Sequence, residues 1–530
     1  MTEGRDEALS LRSVGRSALI LTGSTAAVQV LAIVRELFVA ANAGISRELD
    51  AMLIALVLPM TLSGVLTSGT VTALVPAYLA ARDSRGPDAA RRFAGVVLVW
   101  VGLGGLAISM ALELLAGVAV AITGPGLSSA GHESAVLYLR LLAPLAFVAA
   151  ISGILYGVSQ AEERFSGIAW STIAGSVTLF ASVVLLWGAL GLGALAVGNL
   201  LGPIVTVGVL LASMARGAVV PRIGLRSSDP ELTTFLRHAI PLTISGAILQ
   251  INVIGDRAIA SLLAPGAVSA LRYGEVLVRT PISAISPAWG SALYPALVRS
   301  AHSGMKSGMG AATARATRYV LAVFVPIAAL TAAVAPVAAA VAFERGAFGA
   351  LDVDRTARVV AAFGPLIVTL MLQPVLGGTL NARRRGRVLL AGGMLNVVLN
   401  ITLDVAFGVW LGVAGVAFSS SVTSTVVLIF FARRVAASER GLELRSLVRA
   451  AVTALFASLP FAAVAAVIAW GGLVPRGLLP GLVFLFVVGT VGLVGYVAVA
   501  ASIGLAEARV LVQLSRGWIA RRLNPPRPAI

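Results

Sequence analysis

Fourteen apolar segments organise this chain of 530 residues, at about 16–40, 51–79, 93–122, 134–158, 167–188, 192–214, 239–262, 266–297, 319–343, 358–381, 388–408, 412–432, 450–470 and 478–504. A helix needs roughly 20 apolar residues to cross the hydrocarbon of a bilayer, and each segment has about that many or more. The segments run well past the roughly ten residues of a membrane β-strand and do not alternate apolar with polar positions. A backbone in lipid must also satisfy its own hydrogen bonds, so helices are expected throughout. Only 12% of the residues are charged, about half the share found in soluble domains. Disorder is excluded, because it requires low hydrophobicity and high charge. With no cysteine and three histidines, a disulfide scaffold is excluded and little is left to hold zinc, haem or an iron–sulfur cluster. The expected fold class is an all-α polytopic membrane protein of about fourteen transmembrane helices.

A net charge of +17 would point to nucleic acid if it were clustered on a soluble face. Its distribution argues otherwise. Of forty basic residues, thirty fall in the N-terminal tail, the even-numbered connections and the C-terminal tail. Five fall in the odd-numbered connections (Arg47, Arg345, Arg355, Arg358, Arg476), and five within spans. The positive-inside rule then places both termini in the cytoplasm. The basic excess reads as topology and contact with anionic lipid, with no nucleic-acid partner. The first apolar run is long and lacks a cleavage site, so no secretory signal is read. From Glu507 to Arg522 the tail is either an amphipathic surface helix or a solvated end.

The chain also repeats itself at an offset of about 221 residues. Pro144-Leu145 leads to Leu155, Gly157 and Gln160-Ala161, as Pro365-Leu366 leads to Leu376, Gly378 and Asn381-Ala382. Gly191 and Ala196 correspond to Gly412 and Ala417, and Arg35 and Pro59 to Arg257 and Pro281 at offset 222. Six spans per half is an even number, so two parallel six-helix lobes are expected around a central cavity, with spans 13 and 14 added. The boundaries expected are a tail at 1–15, a first lobe at 16–216, a linker at 217–238, a second lobe at 239–434, two further spans within 435–505 and a tail at 506–530. Lobes able to rock against each other suit alternating access, which favours a transporter over an enzyme.

A charge in hydrocarbon costs about 2.5–3.5 kcal/mol on insertion scales unless paired or hydrated, so charges inside spans are functional candidates. The basic ones are Arg35, Arg140, Arg257, Arg272 and Arg279; acidic ones include Glu36, Asp50, Glu113, Asp256, Glu275 and Asp404. Arg272, Glu275 and Arg279 are spaced i, i+3, i+7 and share one helical face, which lines a cavity as an anion site or forms an internal ion pair with a spare arginine. Arg35 with Glu36, and Asp50 at the start of span 2, read equally as interfacial charges or as cavity residues. Asp256 and Arg257 are adjacent and pair with other helices. Arg140, Glu113 and Asp404 read as structural pairs or interfacial residues rather than ligands. Arginine suits a diphosphate, being planar, always charged and forked. No phosphate loop is present, so no ATP site is expected and transport is passive or driven by an ion gradient or the membrane potential. No cofactor or metal is called for.

The stretch Ile251-Asn252, Asp256-Arg257, Ala260-Ser261, Gly266-Ala267-Val268-Ser269-Ala270-Leu271, Tyr273-Gly274 and Pro281 resembles the span 7–8 signature of the MurJ (MviN) family. Val34-Arg35-Glu36, Gly44, Asp50-Ala51, Leu58-Pro59, Gly69 and Val75-Pro76 are similar to its spans 1–2, and Asn396, Asn400 and Gly412-Val413-Ala414-Gly415 to its spans 11–12. That family flips the lipid-linked peptidoglycan precursor lipid II and belongs to the multidrug/oligosaccharidyl-lipid/polysaccharide exporter superfamily. The resemblance implies a flippase of the bacterial plasma membrane, working in cell-wall synthesis and cell shape beside other cell-wall synthesis proteins. It also implies a tail groove at spans 13 and 14, and places the family's span 1 arginine and span 2 aspartate on Arg35 and Asp50; with the charges inside spans, the candidate diphosphate or headgroup contacts are Arg35, Asp50, Arg257, Arg272, Glu275 and Arg279. Family arginines or other charges fall here on Gln29, Val57, Ser63-Gly64, Ser68 and Val276. Arg272 and Arg279 flank Val276 and are read as facing elsewhere. Another polyprenyl-diphosphate glycan as cargo, or a drug/cation antiporter of the same superfamily, are the competing readings.

Overall fold

The structure is a computed structural model that describes residues 3–224, 230–283, 308–439, 441–475 and 477–509. The described residues are helices and short connections, with no strand among them. In chain order the helices are α1 (Glu3–Ala43), α2 (Arg47–Arg85), α3 (Pro87–Leu114), α4 (Ala116–Thr123), α5 (Ser129–Leu142), α6 (Leu145–Ala161), α7 (Phe165–Leu190), α8 (Gly193–Arg216), α9 (Pro230–Leu249) and α10 (Ile251–Ser261). Next come α11 (267–283), then α12 (Gly308–Ala333), α13 (Ala335–Phe343), α14 (Ala350–Ala362), α15 (Gly364–Ala382), α16 (Gly386–Leu411), α17 (Val413–Ala436), α18 (Leu444–Trp470) and α19 (Leu478–Ser502).

Among the described residues, thirteen helical stretches are long and apolar enough to cross a membrane. They coincide with thirteen of the expected segments. The fourteenth, expected at 266–297, is helical over 267–283, and residues 284–297 lie outside the described residues. Most of the candidate surface helix at 507–522 does so too. Large apolar side chains point away from the protein, Trp410 at 84% exposure among them, as lipid rather than water requires.

Two kinds of detail differ from the continuous spans expected. Segment 93–122 breaks at Leu115 into α3 and α4, and 319–343 breaks at Val334 into α12 and α13. Segments 134–158 and 358–381 break next to Pro144 and Pro365, which lack the amide proton that would continue the ladder. The breaks recur at the repeat offset, and so does the backbone. Gly44 and Gly266 have φ of 56° and 85°, Gly191 and Gly412 of 53° and 61°, and Glu163 and Arg384 both of 54°. At the last pair the chain closes its helix with a 6→1 bond, Arg164 to the Ser159 carbonyl and Arg385 to that of Leu380. This is a Schellman-type stop at both copies, built without glycine.

Packing divides the chain into two compact units, Met1–Ser269 and Ala270–Ile530. In the first, α9 and α10 pack on α2, so this boundary falls later than the linker between the repeats. The centre of the unit is α2, which α6 approaches through glycines. A Cβ on Gly153 would sit 3.0 Å from Thr70, and one on Gly157 3.0 Å from Leu74. Close approach through small residues is how helices associate where apolar surface alone gives no preference for protein over lipid. The Ser63 and Thr67 hydroxyls donate across the same seam to the carbonyls of Leu145 (3.3 Å) and Ala149 (3.2 Å). At the far end of α2, Tyr78 donates to Glu162 at 2.8 Å, Arg82 lies 3.5 Å from the same carboxylate, and Arg85 pairs with Glu231 of α9.

In the second unit α18 packs on α12, and Tyr496 of α19 donates to the Ala322 carbonyl at 2.7 Å. Arg318 meets Glu507 at 2.7 Å. Arg383, at the end of α15, holds Glu439 with two bonds of 2.6 and 2.7 Å, and that glutamate is 5% exposed. Several arginines counted as topology signals thus also staple helix ends. Glu439→Ala is expected to lower stability by about 1–3 kcal/mol, less than for a fully buried pair because Arg383 remains a third exposed. Thermal unfolding of Glu439→Ala, Arg383→Ala and the double variant in detergent measures the coupling; a coupling near zero would remove the staple.

Candidate functional site

The start of α11 is held by a residue from another helix. Gly266 precedes α11 with φ of 85° and has no side chain with which to cap the exposed amides. Asp50, in the first turn of α2 and 5% exposed, supplies the cap. One carboxylate oxygen accepts from the Gly266 amide at 2.7 Å; the other accepts from the Ser269 amide at 2.7 Å and the Ser269 hydroxyl at 2.8 Å. A carboxylate at a helix N-terminus also faces the positive end of the helix dipole. The repeat-related helix α2 solves the same problem locally, with Ser46 accepting from the Leu49 amide at 3.2 Å. Asp50 was expected to meet a headgroup. The structure places its oxygens on protein donors.

Beyond its start, α11 has two faces. Tyr273, 1% exposed, lies 5.0 and 5.3 Å from the rings of Phe343 and Phe348. A Cβ on Gly274 would run into Val359. The opposite face holds Arg272, Glu275, Val276 and Arg279, all half-buried. Arg272 and Arg279 were expected on a face other than that of Val276. They stand four residues before it and three after it, which is one helical turn in either direction, so they share its face. Arg279 lies 3.8 Å from Glu275 and 5.8 Å from the centroid of the Phe363 ring. The Arg279–Glu275 separation exceeds a hydrogen bond.

The other candidates sit in the first unit. Arg35, near the end of α1, is paired with Glu36 at 3.0 Å. Asp256 and Arg257 are both buried in α10. Arg140, Glu113 and Asp404 were expected to be structural or interfacial. Arg140 lies 3.9 Å from Glu113. Asp404 is fully buried and accepts from Asn400 at 2.8 Å and from the Ser419 hydroxyl. Ser421 donates to the Ala362 carbonyl at 2.7 Å, so Ser419 and Ser421 of α17 both bond to neighbouring helices. The Glu162, Glu439 and Glu507 anchors were not anticipated. Each partner lies 56 to 189 residues away, and no spacing rule reaches that far.

The spans, the repeat and the charged face of α11 define a polytopic transporter of the exporter fold. Solved structures share it. A chain described as "Lipid II flippase MurJ, inward closed conformation" superposes with a TM-score of 0.78 at 17% identity, covering 93% of this chain and all of that one. An inward-facing MATE family transporter of the MOP superfamily gives a TM-score of 0.59 at 16% identity, covering 80% and 94%. Sequence carries the assignment further. The probable lipid II flippase MurJ of Rhizobium meliloti is 26% identical over 466 residues, 84% of this chain and 85% of that one. The lipid II flippase MurJ of Burkholderia cenocepacia is 26% identical over 387 residues, 68% and 72% of the two chains. Residues 39–489 match the family model "Lipid II flippase MurJ", and the chain belongs to that family.

Proposed function

We propose that this chain carries lipid II, a polyprenyl-diphosphate-linked glycan, from the cytoplasmic to the outer leaflet of a bacterial cytoplasmic membrane. The reading rests above all on the family match over residues 39–489. The chain acts as a transporter and catalyses no covalent step. Both termini lie in the cytoplasm, in keeping with thirty of forty basic residues on that side. The two repeats form lobes that rock, exposing the headgroup first inside and then outside while the polyprenyl tail stays in lipid. Arg35, Arg257, Arg272 and Arg279 hold the diphosphate, with donor forks that match its oxygens. Glu275 sets the position of Arg279, and Asp50 seats the helix that carries both. The protein uses no resident cofactor, and the membrane potential or an ion gradient drives it. Anionic lipids contact its basic face, and enzymes of cell-wall synthesis work beside it.

A second reading keeps the mechanism and changes the cargo. Gln29, Val57, Ser63 and Val276 are neutral where the family resemblance expects charge, which favours another polyprenyl-diphosphate glycan. Depletion in the native host separates the two. Accumulation of lipid II on the cytoplasmic face is expected; accumulation of a different lipid-linked glycan would establish the second cargo, and unchanged lipid-linked pools would overturn both.

A further inference from the structure

A cavity of about 190 Å³ lies where the first turn of α2, the connection into α5 and the connection after α10 converge. Its polar lining can be accounted for group by group. Both Asp50 oxygens accept from the start of α11. The Ser261 hydroxyl donates to the Ala258 carbonyl at 2.7 Å and accepts from the Gly126 amide at 3.1 Å. The Ser128 hydroxyl accepts from the Gly131 amide at 3.2 Å and has its own proton to give. The Arg47 guanidinium has no partner among the described residues, and it is exposed at the cavity wall. The rest of the wall is apolar, from Leu127, Leu263 and Pro265.

Arg47 is also out of place by the charge bias of the chain. It is one of five basic residues among forty in the odd-numbered connections. A residue on that side contributes nothing to the positive-inside orientation, and a long cation without an ion pair gains nothing for stability. Its five donors stay available in a fixed fork. An arginine fork from the first turn of α2 and a hydroxyl proton from the connection into α5, with the Asp50 oxygens taken up by α11 and apolar surface from Leu127, Leu263 and Pro265, match a carboxylate attached to a compact apolar group.

We infer that this cavity is a binding site for a carboxylate bearing a small apolar side chain, such as the C-terminal residue of a peptide, held by Arg47 and Ser128. Its opening onto the outer face rests on the topology proposed above; its capacity to bind does not. The walls come from the first turn of α2 and two separate connections, and the bonds from Gly126 to Ser261 and from Gly266 to Asp50 hold them together. A ligand that fills the cavity therefore favours the conformation in which those bonds are made.

The test is direct titration of the purified full-length protein in detergent by calorimetry, without transport. The probes are N-acetyl-alanine, N-acetyl-alaninamide and inorganic phosphate. Saturable binding of N-acetyl-alanine is expected, with the amide and phosphate each weaker by about tenfold or more. Arg47→Gln should weaken N-acetyl-alanine binding by about tenfold or more. Leu263→Trp keeps the charge, fills the cavity and should also abolish binding. Absence of saturable binding, equal binding of the amide or of phosphate, or retained affinity in both variants would each overturn the inference. Binding without flipping activity would leave this site standing and remove the proposed transport function, so the two failures are distinguishable.

Discussion

Asp50→Ala is expected to abolish complementation of a flippase-depleted host while protein levels in the membrane stay normal. The carboxylate is the acceptor for three donors at the start of α11, two amides and a hydroxyl. Removing it leaves the Gly266 and Ser269 amides without their acceptor, while the Ser269 hydroxyl keeps the Gly266 carbonyl at 3.1 Å, at a cost of about 3 kcal/mol concentrated at one helix end. Gly266 has no side chain to take over, and the Asp50 bond to its amide spans 216 residues of chain. The first turn of α11 then frays, and Arg272 and Arg279 lose the fixed start that sets their register. Asp50→Asn keeps an acceptor oxygen, so partial function is expected from it. A residue that bound cargo through its charge would instead fail equally as Asn and as Ala. Hydrogen exchange at amides 266–270 gives a second readout, with faster exchange expected in the Ala variant. Full complementation by Asp50→Ala, or unchanged exchange there, would show that the cap does not position α11.

The spans and the repeat were legible because hydropathy and covalent spacing are local properties of the chain. Thirteen helices fall where runs of apolar residues predict them, and the offset of 221 reappears as matched φ angles. The helix breaks were partly legible. Pro144, Pro336 and Pro365 mark three of them, but Leu115 carries no such signal, and the left-handed stops at Glu163 and Arg384 use residues that composition would never single out. The face shared by Arg272, Glu275 and Arg279 follows from helical periodicity alone. The role of Asp50 does not, because a cap supplied from another helix depends on tertiary packing. The same holds for Arg82 with Glu162 and Arg383 with Glu439, which charge counting had assigned to topology. In lipid, a charge near a helix end serves orientation, stapling or cargo, and only its partner in space decides among them.

Arg279→Ala is expected to remove flipping of lipid-linked cargo by the purified protein in vesicles, with Arg35→Ala following the same pattern in cells. Arg279 is the candidate whose geometry leaves most of its charge on offer. Its side chain is 42% exposed, its Nε stands 3.8 Å from Glu275 rather than at hydrogen-bond distance, and its guanidinium carbon rests 5.8 Å from the Phe363 ring centre. Its Nε atom is buried and has no hydrogen-bond partner among the described residues. Glu275 and Phe363 therefore orient the side chain without saturating its donors, which suits a group that must take up a diphosphate and release it again. A charged fork to phosphate oxygens contributes about 1.5–3 kcal/mol, or roughly ten- to hundredfold in affinity. Arg279→Lys keeps the charge but loses the fork and should fall between wild type and Ala. Glu275→Gln removes the orienting carboxylate without removing the cation, so cargo binding should weaken less than in Arg279→Ala. Wild-type flipping by Arg279→Ala would move the anion site off α11, and a Lys variant no better than Ala would show that the fork rather than the charge is what the cargo requires.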